Sequence, residues 1–234
     1  MAHLDVDIDD LLNGLEHPDA PRVDQAEQQK HQRLVQLTDA WKAERTAPEL
    51  LQYEAELMDW VMERVRAQIE YIEQSTADMD AADRYIKLRL LIIETELERI
   101  KFLVRGYLRA RLHKIERYYM HVLGTPAVQA RLSPSEDRYV RQYAENLHGL
   151  YGQRFLAGLP PNLRKMDDKA GGLDMVEAPS VDDAVFVRVV EDVAAPVSLG
   201  PEEDDSIDLR KGNIYLVRYS AVRRHLRAGQ VRLI

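Results

Sequence analysis

The stretch IKLRLLIIETELERIKFLVRGYLRARLHKIERYYMHV, residues 86–122, decides the fold. It holds no proline and a single glycine, Gly106. Ile86, Leu90, Ile93, Leu97, Ile100, Val104, Tyr107, Leu108, Leu112, Ile115, Tyr119 and Val122 follow one another at steps of three and four, with Tyr107 and Leu108 adjacent, the period of a helix. Extended back to about Ala81, the pattern predicts a helix about 60 Å long. That exceeds the width of a compact domain of this size, so the helix should form one whole wall of the body. Leu88, Leu91, Ile92, Phe102 and Leu103 widen the apolar stripe past one face. A single layer of packing would leave some of them in water, the first sign of a partner protein.

Helices are expected on both sides of this wall. Leu34, Val35, Leu37, Ala40 and Trp41 predict a short one from about Gln32. Thr46-Ala47-Pro48-Glu49 reads as a capping box, opening a helix that carries Leu50, Leu51, Leu57, Met58, Val61, Met62, Val65, Ile69 and Ile72. Ser75 to Asp80 is the expected break, and Gly124-Thr125-Pro126 the stop of the long helix. Ser133-Pro134-Ser135-Glu136 is a second capping box, before a helix through Tyr139, Val140, Tyr143, Leu147, Leu150 and Tyr151. Leu159-Pro160-Pro161-Asn162-Leu163 ends helical structure, and Lys165 to Ser180, with Gly171-Gly172 and Pro179, reads as a linker.

Beyond the linker the period becomes strand-like. Ala184–Val190 is rich in β-branched residues, Ser206–Leu209 alternates, and Lys211-Gly212-Asn213 turns into Ile214–Tyr219. A short helical piece with Val222, His225 and Leu226 leads through Gly229 to Val231–Ile234. A core of about 50 residues is marginal alone, so this module should dock on something.

Composition removes whole classes of function. The 234 residues contain no cysteine, which excludes disulfides, zinc fingers, iron–sulfur clusters and thiol catalysis. A net charge of −8 argues against a general nucleic-acid coat, though not against a local basic patch. No run reaches the roughly 18 apolar residues of a membrane span, and the acidic first residues are unlike a signal or transit peptide.

The search for chemistry is as negative. No glycine-rich phosphate loop is present, since Gly171-Gly172 lacks both a preceding strand and a following Lys-Ser/Thr. Glu145 and His148 have the spacing of a di-iron bundle, but that site needs a second such pair. His113 and Glu116 read, like them, as solvated helix surface. Neither catalytic nor cofactor-binding nor metal-ligating residues are therefore assigned. Arg99, Lys101, Arg105, Arg109, Arg111, Lys114 and Arg117 form a cationic run with only Glu116 inside it. Its readings are a contact with nucleic acid or an acidic partner, or ion pairs with the acidic remainder of the chain.

Residues 1–31 are expected to be a tail. Ile8, Leu11, Leu12 and Leu15 fall on one face of a two-turn helix, with Asp5, Asp7, Asp9 and Asp10 early, where the helix dipole favours them. The segment reads as a helix-in-groove ligand on a tether running to about His31, or else as a disordered acidic tail.

Several segments together resemble the Sld5 family of GINS, the four-subunit eukaryotic replication complex. They are TAPELL (46–51), ERIKFLVRGYLRARLHKIE (98–116), LPPNL (159–163), FVR (186–188) and GQVRLI (229–234). The resemblance implies a mainly α chain with a small β-rich C-terminal domain: a helical A domain over 32–164, a linker over 165–181 and a B domain over 182–234. It implies a non-catalytic nuclear subunit, without cofactors, partnered by Psf-one, Psf-two and Psf-three. It also implies assembly with the MCM ring and its Cdc partner in the replicative helicase. Leu97, Ile100, Leu103, Val104, Tyr107, Leu108, Arg111 and Leu112 are the expected subunit interface. Phe186, Val231, Leu233 and Ile234 are expected to dock the B domain. Asp7, Ile8, Asp9, Asp10, Leu11, Leu12 and Leu15 resemble the peptide with which fungal Sld5 binds a trimeric β-propeller replisome hub. The competing reading is a free-standing helical adaptor binding nucleic acid or acidic proteins through the Arg-rich helix. DNA contact is otherwise expected to be weak or indirect.

Overall fold

Good helix formers carry the first described helix further toward the N-terminus than its polarity suggests. In the computed structural model, which describes residues 25–77, 84–168, 174–193, 196–198 and 206–234, helix α1 spans Gln25–Thr46. It starts seven residues before the expected Gln32. The run from Gln25 to His31 is polar, but Gln, Glu, Ala and Lys all favour helix once a neighbouring turn nucleates it. The acidic peptide Asp7–Leu15 and Gly171-Gly172 lie outside the described residues. The chain divides into two units, Met1–Gln36 and Leu37–Ile234. In the first, residues 25–36 are helical. The second holds the rest of α1, the remaining helices and the sheet.

After α1 come α2 (Ala55–Ala77), α3 (Arg84–Arg117), α4 (Tyr119–Gly124), α5 (Pro126–Gln129) and α6 (Pro134–Arg154). Helix α3 has 34 residues, about 51 Å. It is shorter than expected because Tyr118 leaves helical geometry at φ −107° and ψ 26°. The Ser133 capping box is present: Ser133 Oγ accepts from the Glu136 N–H at 3.2 Å, and Glu136 Oε2 accepts from the Ser133 N–H at 2.8 Å.

The first capping box is not formed. Thr46 ends α1, and its hydroxyl donates back to the Lys42 carbonyl at 2.8 Å. Residues 47–54 are non-helical, so Leu50 and Leu51 precede α2 instead of riding on it. Glu49 is released from the capping role for another.

Three apolar clusters form the interior. Leu57, Met58, Val61 and Val65 of α2 meet Leu97, Val104 and Tyr107 of α3, with Leu37 of α1. Leu50, Ile115, Val122 and Val140 form the second. Gly106 lets α1 approach α3 closely: a Cβ there would lie 2.8 Å from Nε1 of Trp41.

The C-terminal part is a three-stranded antiparallel sheet of order β4-β1-β5, from β1 (Ala184–Val189), β4 (Ile214–Arg218) and β5 (Val231–Leu233). A small ladder pairs β2 (Val197–Ser198) with β3 (Ser206–Ile207), the latter within the alternating run Ser206–Leu209. Helix α7 (Tyr219–Arg227) covers one sheet face. Gly212 and Gly229 take the turns at φ +87° and +75°, where a side chain is strained. The third cluster joins Val185, Val187, Val189, Val217, Tyr219, Val222, Val231 and Leu233 to Ala47, with Ala43 and Leu51 against it. The β part thus shares its core with the end of α1 and the segment after it.

Candidate functional site

The segment 47–54 has no regular structure, Ala47, Glu49 and Leu50 within it are buried, and buried carbonyls require partners. Cations from α3 and from the turn before α6 supply them. Lys114 Nζ donates to the carbonyls of Glu44 and Glu49 and to Glu44 Oε1, using all three of its protons. Arg131 Nη1 reaches the Leu50 carbonyl at 2.7 Å and Glu49 Oε2 at 2.9 Å.

Arg111 is fully buried. Its Nε and Nη2 form a fork on Glu136 at 2.7 and 3.0 Å, and Nη1 donates to Glu44 at 3.0 Å. Its remaining protons go to the carbonyls of Leu51 and Arg131. All five guanidinium donors are therefore used. The Tyr53 and Tyr107 rings lie 5.2 and 5.7 Å from the guanidinium carbon. Burial by itself would favour losing the proton, but the Glu136 hydrogen bonds and the charge of Glu44 raise the Arg111 pKa above its ordinary value. Burial pulls Lys114 down, with Glu44 opposing it.

Glu49 links this network to the β part. It accepts from Tyr219 Oη at 2.8 Å, from Arg223 through a two-pronged contact, and from Arg131. Burial would raise its carboxyl, but the hydrogen bonds from Arg223, Arg131 and Tyr219 win and hold it at about 2. Among the described residues no buried side-chain polar atom lacks a partner. These charges are consumed in holding one another, and the arrangement fixes geometry.

The other feature is a surface. From Tyr85 to Glu96 no residue of α3 is buried. Leu88, Leu91, Ile92 and Phe102 are 57, 59, 56 and 63% exposed. At 100° per residue they share one stripe, opposite the stripe of Leu97, Ile100 and Val104 that faces the core. One helix therefore carries two apolar faces, and among the described residues only one of them is covered.

The expected interface residues divide accordingly. Leu97, Val104 and Tyr107 are buried in the chain's own core and Arg111 in the ionic network, so these four are corrected from interface to interior. Ile100, Leu103 and Leu108 are half-buried against the same core, and Leu112 is half-buried as well. The surplus positions Leu88, Leu91, Ile92 and Phe102 are the exposed ones. In the β part Val231 and Leu233 are core residues, whereas Phe186 and Ile234 are exposed on its surface.

The cationic run of α3 is largely spent inside the chain. Arg99 pairs with Glu96, Lys101 and Arg105 with Glu98, and Arg117 with Glu177, in addition to the buried Arg111 and Lys114. Sequence reasoning missed Glu44, Glu49, Glu136, Arg131, Arg223 and Tyr219. One signal was available: Arg111 falls in helical register with Val104 and Leu97, on the core side of the stripe.

Comparison with known proteins completes the picture. Residues 179–234 match the family described as DNA replication complex GINS protein SLD5 C-terminus, and residues 62–155 the GINS complex protein helical bundle domain. A Yarrowia lipolytica protein named DNA replication complex GINS protein SLD5 is 39% identical over 225 residues, covering 96% of this chain and 84% of that protein. The protein so named from Chaetomium globosum is 37% identical over 230 residues, covering 98% and 100%. The protein so named from Homo sapiens is 33% identical over 209 residues, covering 86% and 88%.

Proposed function

The chain belongs to the Sld5 family of GINS complex proteins, and from that membership we propose that it is a structural, non-catalytic subunit of a GINS complex acting in DNA replication. Its siblings on this reading are Psf-one, Psf-two and Psf-three, and its compartment is the nucleus. The observation that carries the reading is the second apolar stripe of α3. Burying what remains exposed of Leu88, Leu91, Ile92 and Phe102 against a sibling is worth on the order of 3–7 kcal/mol before the costs of association. The ionic network of Arg111 and Lys114 anchors the C-terminal half of α3, further along the helix from the stripe.

The finer part of the proposal follows from the resemblance. The assembled complex joins the MCM ring and its Cdc partner, and the peptide Asp7–Leu15 recruits the β-propeller hub by laying Ile8, Leu11, Leu12 and Leu15 into a groove. The role of the stripe is tested by co-expression of the four subunits, with native mass spectrometry of the wild type and of a Leu91→Asp, Ile92→Asp double variant. A tetramer in the wild type and a trimer or dimer lacking this chain in the variant is the expected outcome. An intact tetramer in the variant refutes the role given to the stripe.

A further inference from the structure

The sheet of the C-terminal part has a second face that α7 does not cover. Strand alternation places Phe186 and Arg188 of β1 and Ile214, Leu216 and Arg218 of β4 on it. Phe186 lies opposite Leu216, and Arg188 lies opposite both Ile214 and Arg232 of β5. Ile234 adjoins Phe186, whose carbonyl accepts its N–H at 3.2 Å. Phe186, Leu216 and Ile214 are 55, 59 and 52% exposed. The result is an apolar centre with arginines around it. The three strands place no carboxylate on this face. Arg232 meets Asp39 of α1, and among the described residues neither Arg188 nor Arg218 has an ion-pair partner.

This composition is unusual for a chain of net charge −8. From Ser206 to Ile234 it carries seven Arg or Lys and one acidic residue, Asp208. We propose that this face is a docking site for an acidic amphipathic segment of a partner protein. The segment's aliphatic or aromatic side chains would cover Phe186, Ile214 and Leu216, and its carboxylates would pair with Arg188 and Arg218. Charge complementarity selects such a partner. A single-stranded nucleic acid fits less well: the face offers one aromatic ring where base stacking uses several, and the acidic remainder of the chain repels a long polyanion. The stripe of α3 lies on another element and plays no part in this docking.

The experiment uses the co-purified four-subunit complex and three fluorescein-labelled probes. One is a 16-residue peptide with Leu and Phe at helical spacing and Glu between them. The second is the same peptide with Lys for Glu, and the third a 20-nucleotide single-stranded DNA. Binding is followed by fluorescence anisotropy for the wild type, for Phe186→Ser and for Arg188→Glu with Arg218→Glu. All three replaced side chains point to solvent, and circular dichroism of each complex checks the fold. Expected is binding of the acidic peptide alone, weakened about tenfold or more by either variant and by added salt. Failure of the acidic peptide to bind the complex, or binding that both variants leave unchanged, overturns the proposal. Tighter binding of the DNA, lost in the same variants, makes the face a nucleic-acid surface and overturns it too. Peptide binding by the isolated chain but not by the complex assigns the face to a sibling subunit, with the same consequence.

Discussion

Replacing Glu49 by Gln tests whether one carboxylate fastens the β part to the helices. The substitution keeps shape and removes charge. It also turns an amide N–H₂ toward donors on Arg131 or Arg223, where an oxygen accepted before. The folded Glu49 carboxyl sits at about 2 against an ordinary 4.5. A group whose folded pKa is depressed stabilises the fold above its unfolded pKa, and the stabilisation fades as pH falls toward the folded value. The difference corresponds to about 3 kcal/mol at pH 7 and about 1.4 kcal/mol at pH 3. Urea unfolding of wild type and variant, followed by far-ultraviolet circular dichroism, reads both values. The chain is held below micromolar concentration so that the exposed stripe of α3 does not self-associate. Other carboxylates titrate alike in both proteins and cancel in the difference. The wild-type advantage should therefore shrink by about half between pH 7 and pH 3. An advantage independent of pH, or none at pH 7, would refute the claim that Glu49 acts as a bound carboxylate.

Two further outcomes are set by the same geometry and by the N-terminal peptide. Arg111→Met leaves Glu136 buried without its fork, a loss of about 3–5 kcal/mol. The isolated chain should then melt roughly 6–20 °C lower; an unchanged melting temperature would return Arg111 to the intersubunit surface. Ile8→Ala with Leu12→Ala should abolish retention of the purified β-propeller hub by the four-subunit complex while leaving the complex intact. Undiminished retention in a pull-down would count against the groove-ligand reading.

The elements set by local rules were legible in the residues. The three-four spacing of α3, the reciprocal hydrogen bonds of Ser133 and Glu136, and the turn glycines 212 and 229 each depend on neighbours a few positions away. The surplus of apolar residues on α3 was legible for the same reason: helical spacing counts faces, and two were filled. Where the reading failed, the deciding contacts came from far along the chain. Thr46-Ala47-Pro48-Glu49 satisfies the pattern of a capping box, yet Glu49 is taken by Arg131, 82 residues away, and by Arg223, 174 residues away. A single backbone N–H does not outbid two guanidinium groups and a phenol for a carboxylate in a dry setting. Arg111 has the composition of a surface residue, and only the meeting of Glu44, Glu136 and two backbone carbonyls makes its burial tolerable.

Phe186 shows the same division in a strand. In the run Ala184–Val190 one parity is all valine and the other mixes Phe186 with Arg188, so Arg188 marks the wet face while Phe186 taken alone would fit an interior. Pairing with β4 and β5 under α7 turned Val185, Val187 and Val189 inward and left Phe186 outside. Periodicity thus determined which segments are helix or strand and how much apolar surface they carry, because spacing along the chain is a local property. Tertiary packing decided which charges are buried, which strand face is wet and where the β part is anchored, because those choices depend on partners that spacing does not bring together.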